Sequence, residues 1–132
     1  MYIANQKMSL SILTEIANRN VFFTHLENNP GAIIIKFGAE WCGPCKKIEG
    51  LVHEWMNRLP DGIQPFIVDI DDSFDIYAFL KTKKMVNGIP AILVYYKGNV
   101  SYIPDNHISG TNVDEINGLF IRTIEHVAMN NK

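Results

Sequence analysis

Ala39-Glu40-Trp41-Cys42-Gly43-Pro44-Cys45-Lys46 (AEWCGPCK) holds the only two cysteines in a chain of 132 residues. Ile48, Leu51, Val52, Trp55, Met56 and Leu59 follow at helical spacing, which predicts a helix from Pro44 to Leu59 with this stretch at its start. With the helix starting at Cys42, Cys45 lies one turn deeper on the same face. Helical positions three apart have Cβ atoms about 5–6 Å apart. A disulfide needs about 3.5–4.5 Å, within reach of local adjustment. The start of a helix presents unpaired N–H groups and partial positive charge, which favour thiolate over thiol. Cys42 is therefore the expected nucleophile, and Cys45 the thiol that attacks a mixed disulfide formed on Cys42. Pro44 fits a first turn, where its missing N–H has no helical partner. Gly43 leaves room for an approaching sulfur.

Outward from this stretch the chain alternates between strand and helix patterns. Ala32 to Phe37 (AIIIKF) is a short, nearly continuous apolar run, as a strand buried on both faces requires. Leu10 to Ile16 alternates and reads as an edge strand, and Asn18 to Leu26 as a short helix capped by Asn18. Asn28-Asn29-Pro30-Gly31 is a stop and turn. Phe66 to Ile70 reads as a second buried strand, and Phe74 to about Lys83 as a helix. Ala91 to Tyr96, a turn at Lys97-Gly98-Asn99, and Val100 to Ile103 read as a hairpin. The last helix starts near Thr111-Asn112, where Asn112 and Glu115 resemble a capping box, with Val113, Ile116, Phe120, Ile124 and Val127 inward. The expected class is α/β: parallel βαβ units, then an antiparallel hairpin, with helices on both faces.

The composition is that of a soluble globular protein, 47% hydrophobic and 20% charged. The length suits one domain over residues 1–132, with a core at about 10–129 and fraying expected at Asn5-Gln6-Lys7 and Asn130-Asn131-Lys132. A formal net charge of -2 gives no basic field for nucleic acid or an anionic membrane. No apolar run approaches the roughly 18 residues of a membrane span, and the N-terminus shows no secretory signal. Two cysteines at this spacing form no structural framework, so a cytoplasmic setting is expected, where CxxC is more often catalytic or metal-binding. Zinc needs four ligands, and the chain has no second CxxC. The nearest histidine, His53, falls on the polar side of the predicted helix. His25 and His126 also read as surface positions, and His107 as a solvated loop residue.

Gly88-Ile89-Pro90 lies about 45 residues beyond the cysteines, and Lys97-Gly98 and Gly110 follow it. Together with AEWCGPCK, these residues resemble the thioredoxin family over about residues 10–129. The resemblance implies a central mixed sheet flanked by four helices and a cis Ile89-Pro90 bond facing the cysteines. It also implies a reversible Cys42–Cys45 dithiol/disulfide, and a substrate surface made by Trp41, Ile89, Pro90 and Gly110. Pro90 removes an N–H and leaves neighbouring backbone groups free for an extended substrate segment. The implied activity is protein-disulfide reduction by a monomer with no metal or separate cofactor. With no nicotinamide or flavin motif, electrons would come from a separate reductase. Two further readings stay open: a binding subunit that uses the same groove, and a more oxidising oxidase or isomerase.

The chain departs from the family at Lys36, where thioredoxins place a buried aspartate under the second cysteine. Gly38 stands where an aromatic residue is usual, and Ile67 where a lysine often accompanies the aspartate. Asp69 lies two residues past Ile67 on the same strand face, an offset of about 6.6 Å. Lys36 either pairs with Asp69 in a reversed ion pair or runs to solvent past Gly38. A charged Lys36 near the thiols would favour thiolate and a more oxidising potential. The connections Asp71 to Gly88 and Val100 to Gly110 look longer than usual, with Pro104-Asp105-Asn106-His107 as an insertion beside the groove.

Overall fold

The computed structural model describes residues 9–130. The elements run α1 (Arg19–Glu27), β1 (Ala32–Gly38), α2 (Gly43–Asn57), β2 (Ile63–Asp69), α3 (Phe74–Thr82), β3 (Ala91–Tyr96), β4 (Asn106–Ser109) and α4 (Val113–Asn130). The sheet order is β2-β1-β3-β4. β1 pairs parallel with β2 and antiparallel with β3, and β3 pairs antiparallel with β4. This is the expected mixed sheet with four helices.

The period of two along β1 divides the core. Ile33, Ile35 and Phe37 pack with Phe22 and Leu26 of α1 and with Ile76, Tyr77 and Leu80 of α3. Ala32 and Ile34 pack on the other face with Ile48, Val52 and Met56 of α2 and Ile116, Leu119 and Phe120 of α4. Each fully buried Ile, Leu or Phe contributes about 1.5–3 kcal/mol, so the central strand is the most strongly held element. Lys36 falls on the α2 face and is only 7% exposed, in line with the apolar residues before it.

Polar side chains fix the ends of the elements. Asn18 Oδ1 accepts the Val21 N–H at 3.0 Å, and Asn112 Oδ1 accepts the Glu115 N–H at 2.9 Å, so both expected caps are present. Asn29 is buried, donates to Tyr95 O and accepts from Gly31 N–H, which ties the turn before β1 to β3.

Several expectations are corrected. Leu10 to Ile16 is not a strand: it makes one parallel bridge, Leu13 to Phe66. The Ile16 N–H then bonds Ser73 Oγ at 3.0 Å, which draws the segment toward α3. β2 begins at Ile63, three residues before the predicted start. Val100 to Ile103 does not pair with β3; Asn106–Ser109 does, with Asn106 opposite Val94. The intervening backbone is held by side chains: Asp105 accepts from Tyr96 N–H, Asn99 from Ser101 N–H, and Ser101 Oγ from Ile103 N–H. Such local bonds compete with a strand ladder. The extra length therefore lies before Asn106, and exposed His107 sits on β4.

In α4 the buried stripe is Ile116, Leu119, Phe120, Thr123 and Val127, whereas Val113 is 53% exposed at the first position. His25 and His126 are half-buried, His25 edge-on to Phe66 and His126 stacked on Tyr96. Asn130 is the last residue of α4. The other residues expected to fray lie outside the described residues. Among the described residues, no helix is long and apolar enough to cross a membrane.

Candidate active site

Cys42 and Cys45 are joined in a disulfide with their Cα atoms 5.3 Å apart. Cys42 is the N-cap of α2 rather than its first helical residue, and its Sγ accepts the Cys45 N–H at 3.2 Å. One of the unpaired N–H groups of the helix start is thus aimed at the outer sulfur. Pro44 lies in the first turn. The pair is nearly buried, Cys42 at 5% and Cys45 at 3% exposure, and packs with Ala39, Ile70 and Ile89. Gly43 and Pro44, which separate the two cysteines, are exposed.

The outer rim contains the residues the sequence singles out. Trp41 is 67% exposed, and its Nε1–H donates to Asp71 Oδ2 at 2.8 Å. The Ile89-Pro90 bond is cis. Gly110 has φ 96°, a conformation that favours glycine, and its N–H donates to Pro90 O at 2.9 Å. Asp71 is a contact of Trp41 that sequence reasoning missed. Nothing in its spacing marks it, because its contact with Trp41 crosses 30 positions.

The inner side differs from expectation. The reversed Lys36–Asp69 ion pair is absent: among the described residues the only ion pair is Arg19–Asp75. The register is the one the pairing assumed, Lys36 opposite Ile67 and Asp69 opposite Gly38, so the cause lies in the side chains. The Asp69 carboxylate is held by backbone, accepting Glu40 N–H at 3.1 Å and Asp71 N–H at 2.8 Å. The Lys36 side chain folds over Gly38 instead. A Cβ on Gly38 would lie 3.0 Å from Lys36 Nζ and 3.4 Å from Cys45 Sγ, so ammonium and inner sulfur flank one small space. Glycine at 38 is what leaves that space to the lysine. Burial pushes the Lys36 pKa down from its usual value, while the charges of Glu49 and then Asp69 oppose the shift.

A helix-capping cysteine pair one turn deep, beside a cis-proline on a mixed sheet covered by four helices, defines a thioredoxin-fold dithiol site. The chain belongs to the thioredoxin family, whose model (Thioredoxin) matches residues 13–119. Thioredoxin 3 of Plasmodium falciparum is 27% identical over 119 residues, 88% of this chain and 62% of that protein. This chain thus spans less than two thirds of that relative's length. A thioredoxin of Ophiophagus hannah is 32% identical over 64% of this chain and 71% of its own. The X-ray structure of Fasciola hepatica thioredoxin superposes with a TM-score of 0.67 at 23% identity, covering 84% of this chain and 99% of the other, a likeness of fold. Thioredoxins are thiol–disulfide oxidoreductases, and Cys42 and Cys45 of this chain are joined in a disulfide.

Proposed function

We propose that the chain is a protein-disulfide reductase that works through its own Cys42–Cys45 dithiol. In the reduced form, Cys42 thiolate attacks one sulfur of a substrate disulfide, and the other substrate sulfur leaves as a thiol. Cys45 then attacks the Cys42 sulfur of the mixed disulfide. The second substrate sulfur leaves, and the Cys42–Cys45 bond closes. Two electrons pass from the dithiol to the substrate. A separate reductase returns them in a reducing compartment, for which the cytoplasm is the proposed setting. Trp41, Ile89, Pro90 and Gly110 receive an extended segment of the substrate, and the protein acts as a monomer. Gly43 and Pro44 shape the turn between the sulfurs.

The observation that carries this reading is the Cys45 N–H directed at Cys42 Sγ across the start of α2. In the reduced protein that donor and the helix dipole stabilise negative charge on the outer sulfur. The test is reduction of insulin by the protein with dithiothreitol as electron source, followed by turbidity. Rapid precipitation that is lost in Cys42→Ser is expected. An unchanged rate in that variant excludes Cys42 as the nucleophile. Failure of the unmodified protein to accelerate precipitation favours a binding role for the groove.

A further inference from the structure

Besides the disulfide itself, the α2 side of the sheet carries a cavity of about 300 Å³ whose wall includes Lys36, Gly38 and Cys45. Of the buried polar residues, Asn29, Ser73 and Thr123 have hydrogen-bond partners, while Lys36 has none among the described residues. No side-chain nitrogen or oxygen in that set is both sealed from solvent and unpartnered. The Lys36 ammonium is therefore wetted through the cavity while its stem is packed in the core. Such a group is well matched to an anion that appears only in another state of the protein.

We infer that Lys36 is a positioning residue for the resolving half of the reaction: its ammonium stabilises the thiolate of Cys45 from inside the cavity. The inference rests on the reductase reading above. When Cys42 is joined to a substrate sulfur, Cys45 still carries its proton. That proton passes to water in the cavity, and the thiolate forms against the Lys36 charge. The Cys45 sulfur then bonds to Cys42 Sγ as the Cys42–substrate bond breaks. The electron pair of that bond leaves on the substrate sulfur, which takes a proton from solvent. Lys36 itself gains and loses no covalent bond.

Other charges face the same space. From α2 come Lys46, Glu49 and His53, from the turn before it Glu40, and from the end of β2 and the following turn Asp69 and Asp72. All but Asp69 are exposed, where solvent and salt weaken their effect. The Asp69 carboxylate is bound to two backbone N–H groups. Burial lowers the Lys36 pKa, and the charges of Glu49 and then Asp69 oppose that shift. Among the described residues, Lys36 is the cation that reaches the small space beside Cys45 Sγ over Gly38.

The test is stopped-flow reaction of the reduced protein with an aromatic disulfide that releases a coloured thiolate at each of two steps. The first release reports attack by Cys42 and the second attack by Cys45. In Lys36→Met, the pH midpoint of the second release should rise by about one unit, a tenfold slower second step below the midpoint, with convergence at high pH. Lys36→Arg, which keeps the charge, should restore most of the rate. A second-step profile unmoved in a folded Lys36→Met protein overturns the inference. If the first release is missing in the unmodified protein, the reductase reading itself has failed. Carbon-13 titration of the Cys45 Cβ in the reduced unmodified protein decides the inference in that case, and equally if Lys36→Met does not fold. A midpoint below the ordinary thiol value of about 8.5 supports it, and one at or above that value overturns it.

Discussion

The two sulfurs of one disulfide face different environments. Cys42 looks onto a rim made largely by backbone: a helix N-terminus, a cis X-Pro bond and a glycine with positive φ. Cys45 looks inward onto a cavity governed by one side chain, Lys36, laid across Gly38. The rim is set by turns and caps, and its geometry follows once the sheet forms. The inner chamber is set by a charge lying ångströms from the sulfur, so a single substitution changes its chemistry without touching the fold. This is also how the sequence divides, matching the thioredoxin pattern along the rim and departing from it at Lys36 and Gly38.

Removing the inner sulfur is the most drastic way to separate the two sides. Cys45→Ser should lower turnover about a thousandfold or more while Cys42 still reacts once. Mass spectrometry should then find the protein accumulating as a mixed disulfide with its substrate. A variant that still turned over would show that the two sulfurs do not act in sequence.

Lys36→Met removes the inner charge and keeps the apolar stem. The oxidised protein should gain on the order of 1 kcal/mol in chemical denaturation, because a cation partly desolvated by burial is replaced by a packed apolar side chain. The pH dependence has a definite sign. Burial holds the native Lys36 pKa below its unfolded value. Between those two values the unfolded chain binds more protons, so stability attributable to Lys36 rises with pH. Below the native value the unfavourable contribution is present in full. Lys36→Met should lack this rise; a variant that kept it would place its origin elsewhere. Lys36→Asp exchanges the cation for an anion and should lower the redox potential by about 30 mV for each unit by which the relevant thiol pKa rises. Equilibration with glutathione measures it, and an unchanged or higher potential would contradict the proposed role of the charge.

On the rim, Trp41→Ala should raise KM for a protein disulfide about tenfold, as for a central contact residue. Stability should change by less than about 0.5 kcal/mol, since Trp41 is 67% exposed. The smallest effect is expected for Gly38→Ala. The new Cβ presses on the flexible end of Lys36, with Nζ at 3.0 Å and Cε at 3.3 Å. Stability should fall by less than about 1 kcal/mol. The second-step pH midpoint should move in the same direction as in Lys36→Met, but less. A larger loss of stability would mean that Lys36 has no room to yield.

Where hydrophobic period and capping residues agree, the elements follow the sequence closely. β1 and β3 match their apolar runs, and α2 begins at the cysteine motif. The hairpin partner of β3 was misplaced because Val100 to Ile103 has strand-like composition, yet Asn99, Ser101 and Asp105 bind the local backbone. Leu10 to Ile16 has strand-like alternation, but continuous pairing gives way where Ile16 bonds to Ser73 on another element. Cys42, Cys45, Trp41 and Pro90 stand out in the sequence because motif spacing encodes them. Asp71 does not, since only the fold brings it to the indole. The Lys36–Asp69 pairing failed although face and register were as expected: backbone N–H groups hold the Asp69 carboxylate, and Lys36 lies over Gly38.

The order of residues alone determined the cysteine spacing, the helix behind it, the apolar central strand and the family to which these belong. Local chemistry suffices for this, because helix starts, turns and buried strands are written in short-range patterns. Tertiary structure alone decided what Lys36 meets. Its path over Gly38 toward Cys45 depends on strand register, on α2 lying across the sheet and on the room a missing side chain leaves, and each of these joins residues that sequence spacing does not relate.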